Sequence, residues 1–236
     1  MRTVIVGMGE VGSALQQVLG STYEVHAKDI GLAVVPAGID IMHACIRYSD
    51  KFIDIVRDYD RSYSPKLINI CTTCPPGTTE QIGPHAVHST TRGLHPNLAS
   101  GLRTITKHIG GPQSEAVAEY FRAAGVPCET HRLAKTTELL HLLNNCHYGA
   151  ELLWAAEAAS ICREFGVDYT EYMRYTQTHN AGFVALDQPS KVRSVLTPPG
   201  DRIGGHCVQQ AAKMLGPLVR GKKDQIELLA KYGDAK

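Results

Sequence analysis

The sequence has 236 residues, of which 43% are hydrophobic and 20% are charged, and its formal net charge is +1 at pH 7. This composition suits a globular chain with a sizeable core. The small net charge lacks the basic surplus that binding to nucleic acid or to an anionic membrane requires, so neither is expected as the main partner. Apolar stretches fall short of the roughly 18–20 residues of a membrane span, so we expect no membrane partner.

The first 29 residues are predicted to form a strand, a helix and a second strand. A β-branched run at 2–7 predicts a buried strand, and a helix follows from about 12 to 19. Residues 23–27 predict the second strand, which ends at Asp29. This order is the start of a βαβ unit, and hence of a parallel sheet.

A glycine-rich turn joins that first strand to the helix. Residues 7–12 read Gly-Met-Gly-Glu-Val-Gly, the pattern G-x-G-x-x-G. The first glycine allows a tight turn, the second admits a pyrophosphate, and the third lets the helix pack on the strand. The helix N-terminus then offers amide hydrogens to the phosphates. We therefore predict a dinucleotide site whose binding residues are Gly7, Gly9, Glu10, Val11 and Gly12.

An acidic residue at the end of the second strand strengthens this prediction. Asp29 occupies the position where a carboxylate accepts hydrogen bonds from ribose hydroxyls. The same carboxylate repels a 2′-phosphate, so NAD is favoured over NADP, although Lys28 stands beside it. The alternative is a glycine turn that binds no ligand.

Further strands alternate with helices as far as residue 133. The strand candidates are 39–46, 66–71, 91–94, 107–110 and 127–131, and the helix candidates are about 50–59 and 113–124. This alternation predicts an α/β fold with a Rossmann-type, doubly wound parallel sheet. We assign residues 1–133 to a dinucleotide-binding domain.

The pattern changes to helices alone after residue 133. Residues 135–165 contain no proline and predict one long helix or two stacked ones, apolar nearly all round. We expect this segment to pack on the sheet and against a second subunit, giving a homodimer. A helix at 168–180, a loop at 187–206 and one or two helices at 207–231 complete an all-α substrate and dimerisation domain, 134–236.

Three polar residues share one face of the predicted long helix. Glu138, His141 and Asn145 are spaced i, i+3 and i+7 in an otherwise apolar segment. A histidine and an asparagine on one face can hold a substrate oxygen and move a proton. The alternative, equally weighted, is a subunit contact with satisfied polar groups.

Two loops carry further candidates. Residues 72–79 follow the central strand, where ligands of open α/β sheets bind, and Thr78 or Thr79 is expected to cap a following helix. Near the end, Gly204 and Gly205 precede Cys207 at a predicted helix start, where a thiol is a good nucleophile. The alternatives are a stiff loop and a buried cysteine.

The seven cysteines predict a reducing environment. Their number is odd, no signal peptide precedes the first strand, and the spacing lacks a second C-x-x-C to complete a zinc site with Cys71 and Cys74. We therefore expect a cytoplasmic protein with free thiols and no metal.

Four segments in order resemble the UDP-glucose/GDP-mannose dehydrogenase family, the NAD-dependent nucleotide-sugar 6-dehydrogenases. They are the turn at 7–12, the loop at 73–79, the helix and turn at 137–168, and the loop at 199–207. The family oxidises a primary alcohol to a carboxylate with two NAD, through a thioester on a cysteine. The resemblance implies that Cys207 is this nucleophile, that Asn145 is the helix asparagine, and that Thr73 is the loop threonine near the cofactor.

The resemblance also exposes departures from the family pattern. The helix lysine of the family falls at His141, the aspartate after the cysteine at Ala211, and the catalytic glutamate at Asn97. We expect the C-terminal nucleotide-sugar-binding domain to be lacking, so a nucleotide sugar is a doubtful substrate. His95 and Pro96 resemble the His-Pro that lines the cleft of prephenate dehydrogenases and related β-hydroxyacid enzymes.

Three functions compete on this basis. The first is an NAD-dependent dehydrogenase of a small alcohol or hydroxyacid, with His141 or His95 as acid/base, Asn145 orienting the substrate and Cys207 as nucleophile. The second is a catalytically altered nucleotide-binding protein that acts as a sensor or partner module. The third and weakest is another group-transfer enzyme, such as a methyltransferase.

Overall fold

The structure is a computed structural model that describes residues 1–29, 35–200, 203, 206–221 and 223–231. The chain divides into two compact units, Met1–His141 and Leu142–Lys236. Gly204 and Gly205, which precede Cys207 in the sequence, lie outside the described residues.

The first unit alternates strands and helices. Its elements are β1 Arg2–Val6, α1 Glu10–Leu19, β2 Glu24–Lys28, β3 Ile41–Ala44, α2 Phe52–Tyr63, β4 Leu67–Ile70, α3 Thr78–Ile82, β5 Ala86–His88, α4 Leu98–Thr104, β6 Lys107–Gly110, α5 Ser114–Ala123 and β7 Cys128–His131. The helix α6, Ala134–Glu164, then begins.

The strands of the described residues form one seven-stranded sheet in the order β2-β1-β3-β4-β5-β6-β7. The chain crosses over β1 between β2 and β3, so the strand order reverses beside β1, where the carboxyl ends of strands leave room for a ligand. This confirms the predicted Rossmann-type, doubly wound fold. One pair departs from the prediction of a fully parallel sheet, because β5 and β6 meet antiparallel at His88 and Gly110.

The core of this unit occupies both faces of the sheet. Successive side chains of a strand point to opposite faces, and β1 shows this directly. Ile5 packs in a cluster with residues of α1 and α5, whereas Val4 and Val6 pack in another with residues of α2. The sheet is therefore covered on both sides, as a nearly all-parallel sheet requires.

The predicted strand at 91–94 is wrong. The strand at this point of the sheet is Ala86–His88, and the helix Leu98–Thr104 follows it. The chain leaves the sheet after β5 and packs on α4: a Cβ added to Gly101 would lie 2.5 Å from the carbonyl oxygen of Arg92. Residues 91–94 are thus held against a helix rather than against a neighbouring strand.

Helices build the second unit. The segment 135–165 proves to be one 31-residue helix, α6, and it is followed by α7 Tyr169–Ala185, α8 His206–Leu215 and α9 Asp224–Lys231. Gly149 lets α6 approach the other two closely, because a Cβ there would lie 2.5 Å from Val208 and 2.9 Å from Leu229. Within the described ranges, no helix has the length and apolarity to cross a membrane.

Candidate functional site

Two of the three motif glycines are required by the fold itself. Gly7 has a φ of +94°, and a Cβ on it would lie 2.8 Å from the carbonyl oxygen of Cys45, just past β3. A Cβ on Gly12 would lie 2.0 Å from the carbonyl oxygen of Gly7. The turn and the close seating of α1 on the sheet therefore depend on both residues.

The middle glycine has no such structural reason. Gly9 precedes α1 with φ −69° and ψ −164°, a conformation that other residues adopt. Apart from its chain neighbours, no heavy atom of the described residues lies within 4 Å of its Cβ position. The helix start also has no side-chain cap among the residues described here. A bare backbone that faces open space at a helix N-terminus fits a pyrophosphate.

A cleft of about 420 Å³ lies over this turn. The cleft is lined by residues of the turn and of α1 and by residues just before and within α4, which are Met8, Gly9, Glu10, Ser13, Ala14, Gln17, Pro96, Asn97 and Ala99. Val11 itself is half-buried and packs against the core. His95 forms an ion pair with Glu10, so this candidate catalytic histidine stands at the edge of the predicted cofactor site.

The acidic residue after β2 reaches the glycine turn. The Asp29 carboxylate accepts a hydrogen bond of 2.9 Å from the backbone N–H of Met8. It therefore lies beside the turn, where the predicted ribose contact requires it.

Two threonines hold the imidazole of His141. Its Nε2 lies 3.0 Å from Oγ1 of Thr73, and its Nδ1 lies 3.0 Å from Oγ1 of Thr90. Burial, together with the smaller effect of the nearby positive charges of Arg92 and Lys107, lowers the pKa of His141 to about 4. The ring is consequently neutral at pH 7, which lets it accept a proton from a neighbouring hydroxyl.

Glu138, which shares this helix face with His141, has a structural role. The buried Glu138 carboxylate accepts hydrogen bonds from the N–H groups of Gly77 (2.5 Å) and Thr79 (2.8 Å). The expected capping of α3 by Thr78 or Thr79 is therefore wrong. Gly77 is the N-cap residue, and the helix start is satisfied by a carboxylate from α6.

The remaining candidates belong to the second unit. Asn145 is half-buried on α6, and Cys207 is an exposed free thiol in the first turn of α8. Ala211, at the family's aspartate position, is completely buried in the apolar core of this unit. The structure thus brings Asp29 to the glycine turn and His95 to Glu10 beside that turn, and it pairs Thr73 with His141.

Several buried polar groups escaped the sequence reasoning. Lys107 is buried, and its ammonium group donates hydrogen bonds to the carbonyls of Ser89 (3.0 Å) and Thr90 (3.1 Å). His88 lies 2.9 Å from Thr137 Oγ1, and burial lowers its pKa to about 3. These contacts fix the loop that presents Thr90 to the His141 ring. No local pattern marks them, because they depend on the return of α6 to the end of β5.

The architecture and the glycine turn together define a Rossmann-type protein. No family model matches the sequence. A curated relative, the UDP-N-acetyl-D-mannosamine dehydrogenase of Methanocaldococcus jannaschii, is 26% identical over 175 residues, which are 69% of this chain and 38% of that protein. The match therefore covers well under half the length of this relative.

Solved structures of dehydrogenases share the fold. The UDP-D-ManNAc dehydrogenase of Pyrococcus horikoshii matches 99% of this chain and 68% of its own with a TM-score of 0.78 and 19% identity. The 3-hydroxyisobutyrate dehydrogenase of Mycobacterium tuberculosis, solved with L-serine, matches 99% and 94% with a TM-score of 0.72 and 13% identity. The comparisons confirm the resemblance to the UDP-sugar dehydrogenase family.

Proposed function

We propose that this protein is an NAD-dependent oxidoreductase that oxidises the hydroxyl group of a small alcohol or hydroxyacid. The observation that carries the proposal is the bare backbone at Gly9, which faces a cleft at the N-terminus of α1. In this proposal residues 1–133 bind the cofactor, with Gly7, Gly9, Glu10, Val11 and Gly12 at the phosphates. Residues 134–236 bind the substrate and a second subunit.

Asp29 selects NAD in this account. Its carboxylate already lies beside the turn, and a 2′-phosphate placed there would meet a negative charge. We expect Asp29→Ser to lose most of the preference for NADH over NADPH, with the ratio of dissociation constants falling about tenfold or more. Fluorescence titrations with both cofactors measure this ratio. An unchanged ratio would remove Asp29 from the ribose site.

The paired hydroxyl and imidazole supply the proton acceptor. A substrate hydroxyl that contacts Thr73 passes its proton to Oγ1, while the proton of Thr73 passes to Nε2 of His141. The nicotinamide ring, when bound, supplies the acceptor for the hydride. His95, which pairs with Glu10, is the second candidate for the acid/base role.

Cys207 and Asn145 are proposed for the later steps and for orientation. If oxidation continues to the acid, the Cys207 thiolate adds to the aldehyde carbon to give a thiohemiacetal, a second molecule of NAD would accept the hydride that converts it to a thioester, and water releases the carboxylate and the thiol. Asn145 orients the substrate oxygen through its amide. The exposed thiol of Cys207 is accessible for this role.

A substrate panel tests the proposed function. The purified chain is supplied with NAD and a series of primary alcohols, 3-hydroxyacids and nucleotide sugars, and the absorbance of reduced nicotinamide is followed. We expect turnover with at least one class of hydroxyl substrate. Binding of NAD without turnover on every class would contradict the enzyme proposal, and binding of S-adenosylmethionine instead of NAD would favour a group-transfer enzyme.

A cofactor-binding module without catalysis is the second candidate. It is favoured by the replacement of the family's aspartate with Ala211, which is fully buried among apolar residues and leaves no space for a charge. It is also favoured by His141 at the family's lysine position, where the neutral ring replaces a cation.

We also propose a homodimer that forms through α6. Leu143, Trp154 and Ile161 share one face of this helix and leave 44%, 54% and 44% of their surface exposed. Light scattering is expected to give twice the mass of one chain, and Trp154→Glu is expected to halve it. A wild-type mass of a single chain would contradict the dimer.

The free thiols suit a cytoplasmic protein.

A further inference from the structure

Three metal-ligating side chains meet on the last two strands of the sheet. Nδ1 of His108 on β6 lies 2.9 Å from Nε2 of His131 on β7 and 4.0 Å from a carboxylate oxygen of Glu129, also on β7. One ligand atom from each residue lies within 4.8 Å of the other two. None of the three belongs to the cleft over the glycine turn.

Strand register places these side chains on one face. His108 is paired with Glu129, and His131 is two residues further along β7. The residues on either side of His108, Lys107 and Ile109, point to the opposite face and are buried. The backbone ladder therefore holds the three ligands together without help from a flexible loop.

We propose that His108, Glu129 and His131 form a binding site for a divalent transition metal, with zinc as the first candidate. Two imidazole nitrogens and one carboxylate oxygen are ligands that zinc accepts, at about 2.0–2.2 Å from the metal. Ligand atoms around a tetrahedral ion then stand roughly 3.3 Å apart, so small rotations of the rings and of the exposed Glu129 complete the geometry. Water would occupy the fourth position.

Charges around the site set its affinity. Glu129 supplies one negative charge, whereas Arg92 lies close enough to act on His108 and opposes a cation. The guanidinium of Arg92 is bonded to the Thr106 carbonyl, which keeps it in place beside β6. We therefore expect the site to bind the metal ion with moderate affinity. The bound ion would link β7, the last strand of the described sheet, to its neighbour β6.

Zinc should stabilise the folded chain, because an ion that binds only the native state shifts unfolding by mass action. The chain is stripped with EDTA, dialysed and melted at pH 7.5 with and without zinc, on a Cys207→Ser background that removes the exposed thiol. We expect a rise in Tm of about 5 °C at saturation. His131→Gln and Glu129→Gln should each lose most of this rise.

A matched control distinguishes this site from ordinary surface histidines. His26 contacts Glu24 at 2.9 Å on β2, at the other edge of the sheet, so it offers the same pair of groups, and no third ligand joins them among the residues that the structure describes. His26→Gln should keep the full response to zinc. An equal loss in His26→Gln, or an unchanged rise in both site variants, would overturn the proposal.

Cobalt reports the ligand set independently of stability. Added Co²⁺ should give intense visible bands of a four- or five-coordinate site with nitrogen and oxygen ligands and no sulfur-to-cobalt band. His108→Gln should abolish these bands while the protein remains folded by circular dichroism. If added cobalt gives no more than the weak spectrum of the hydrated ion, or if a sulfur-to-cobalt band appears, the proposed site is contradicted.

Discussion

Gly9→Val should abolish cofactor binding and leave the fold intact. The φ and ψ of Gly9 suit a β-branched residue, and its Cβ position faces open space among the described residues, so the native chain accommodates valine. The new methyl groups would occupy the place that we propose for the pyrophosphate. We expect the dissociation constant for NADH to rise at least about 100-fold, or roughly 2.7 kcal/mol, with Tm changed by only about 3 °C.

A neighbouring glycine provides the matched control. A Cβ on Gly12 would lie 2.0 Å from the carbonyl oxygen of Gly7, so Gly12→Ala should destabilise the fold by about 3 kcal/mol. Urea melts of both variants beside NADH titrations separate the two effects. Unchanged NADH affinity in a folded Gly9→Val protein would place the cofactor elsewhere.

Cys207→Ser should stop oxidation to the acid. If the thiolate forms the covalent intermediate, its loss should lower the rate of carboxylate formation at least about 10³-fold. The NADH dissociation constant should not change, because this residue takes no part in the proposed cofactor site. Rapid-quench analysis of products with the best substrate of the panel measures the effect, and an accumulating aldehyde is the expected sign.

Cys128→Ser is the control for this substitution. The Cys128 thiol donates a 3.3 Å hydrogen bond to the carbonyl of Val126, a bond that a serine hydroxyl can replace. This variant should keep its rate. If Cys207→Ser also forms carboxylate at the wild-type rate, the covalent route is removed and the hydride transfer proposal rests on His141 and Thr73 alone.

Local signals in the sequence were sufficient for the first strand, the glycine turn and the acidic residue after β2. The run at 2–7, the glycines and the acid at 29 act over a few residues, and each corresponds to an observed feature: β1, the turn before α1, and the carboxylate bonded to Met8. For residues 135–165 the sequence allowed one long helix or two stacked helices, because Gly149 interrupts the apolar pattern. In the structure α6 continues through Gly149, which lies close to Val208 and Leu229.

Long-range packing decided what local patterns could not. The three-residue strand β5 carries little periodicity of its own, and its neighbours β4 and β6 define it. Glu138 was grouped with His141 by helical spacing alone, yet it binds the backbone before α3. The pair His108 and Glu129 is invisible in the sequence because only the register of β6 and β7 brings these residues together.

A crystal structure with NAD bound is the most direct test of the central claim, that the turn at residues 7–12 holds a dinucleotide. We expect the pyrophosphate oxygens within hydrogen-bond distance of the N–H groups at the start of α1, and the adenosine ribose against the Asp29 carboxylate. Density for NAD at another part of the chain, with the Gly9 backbone in contact with solvent alone, would contradict it.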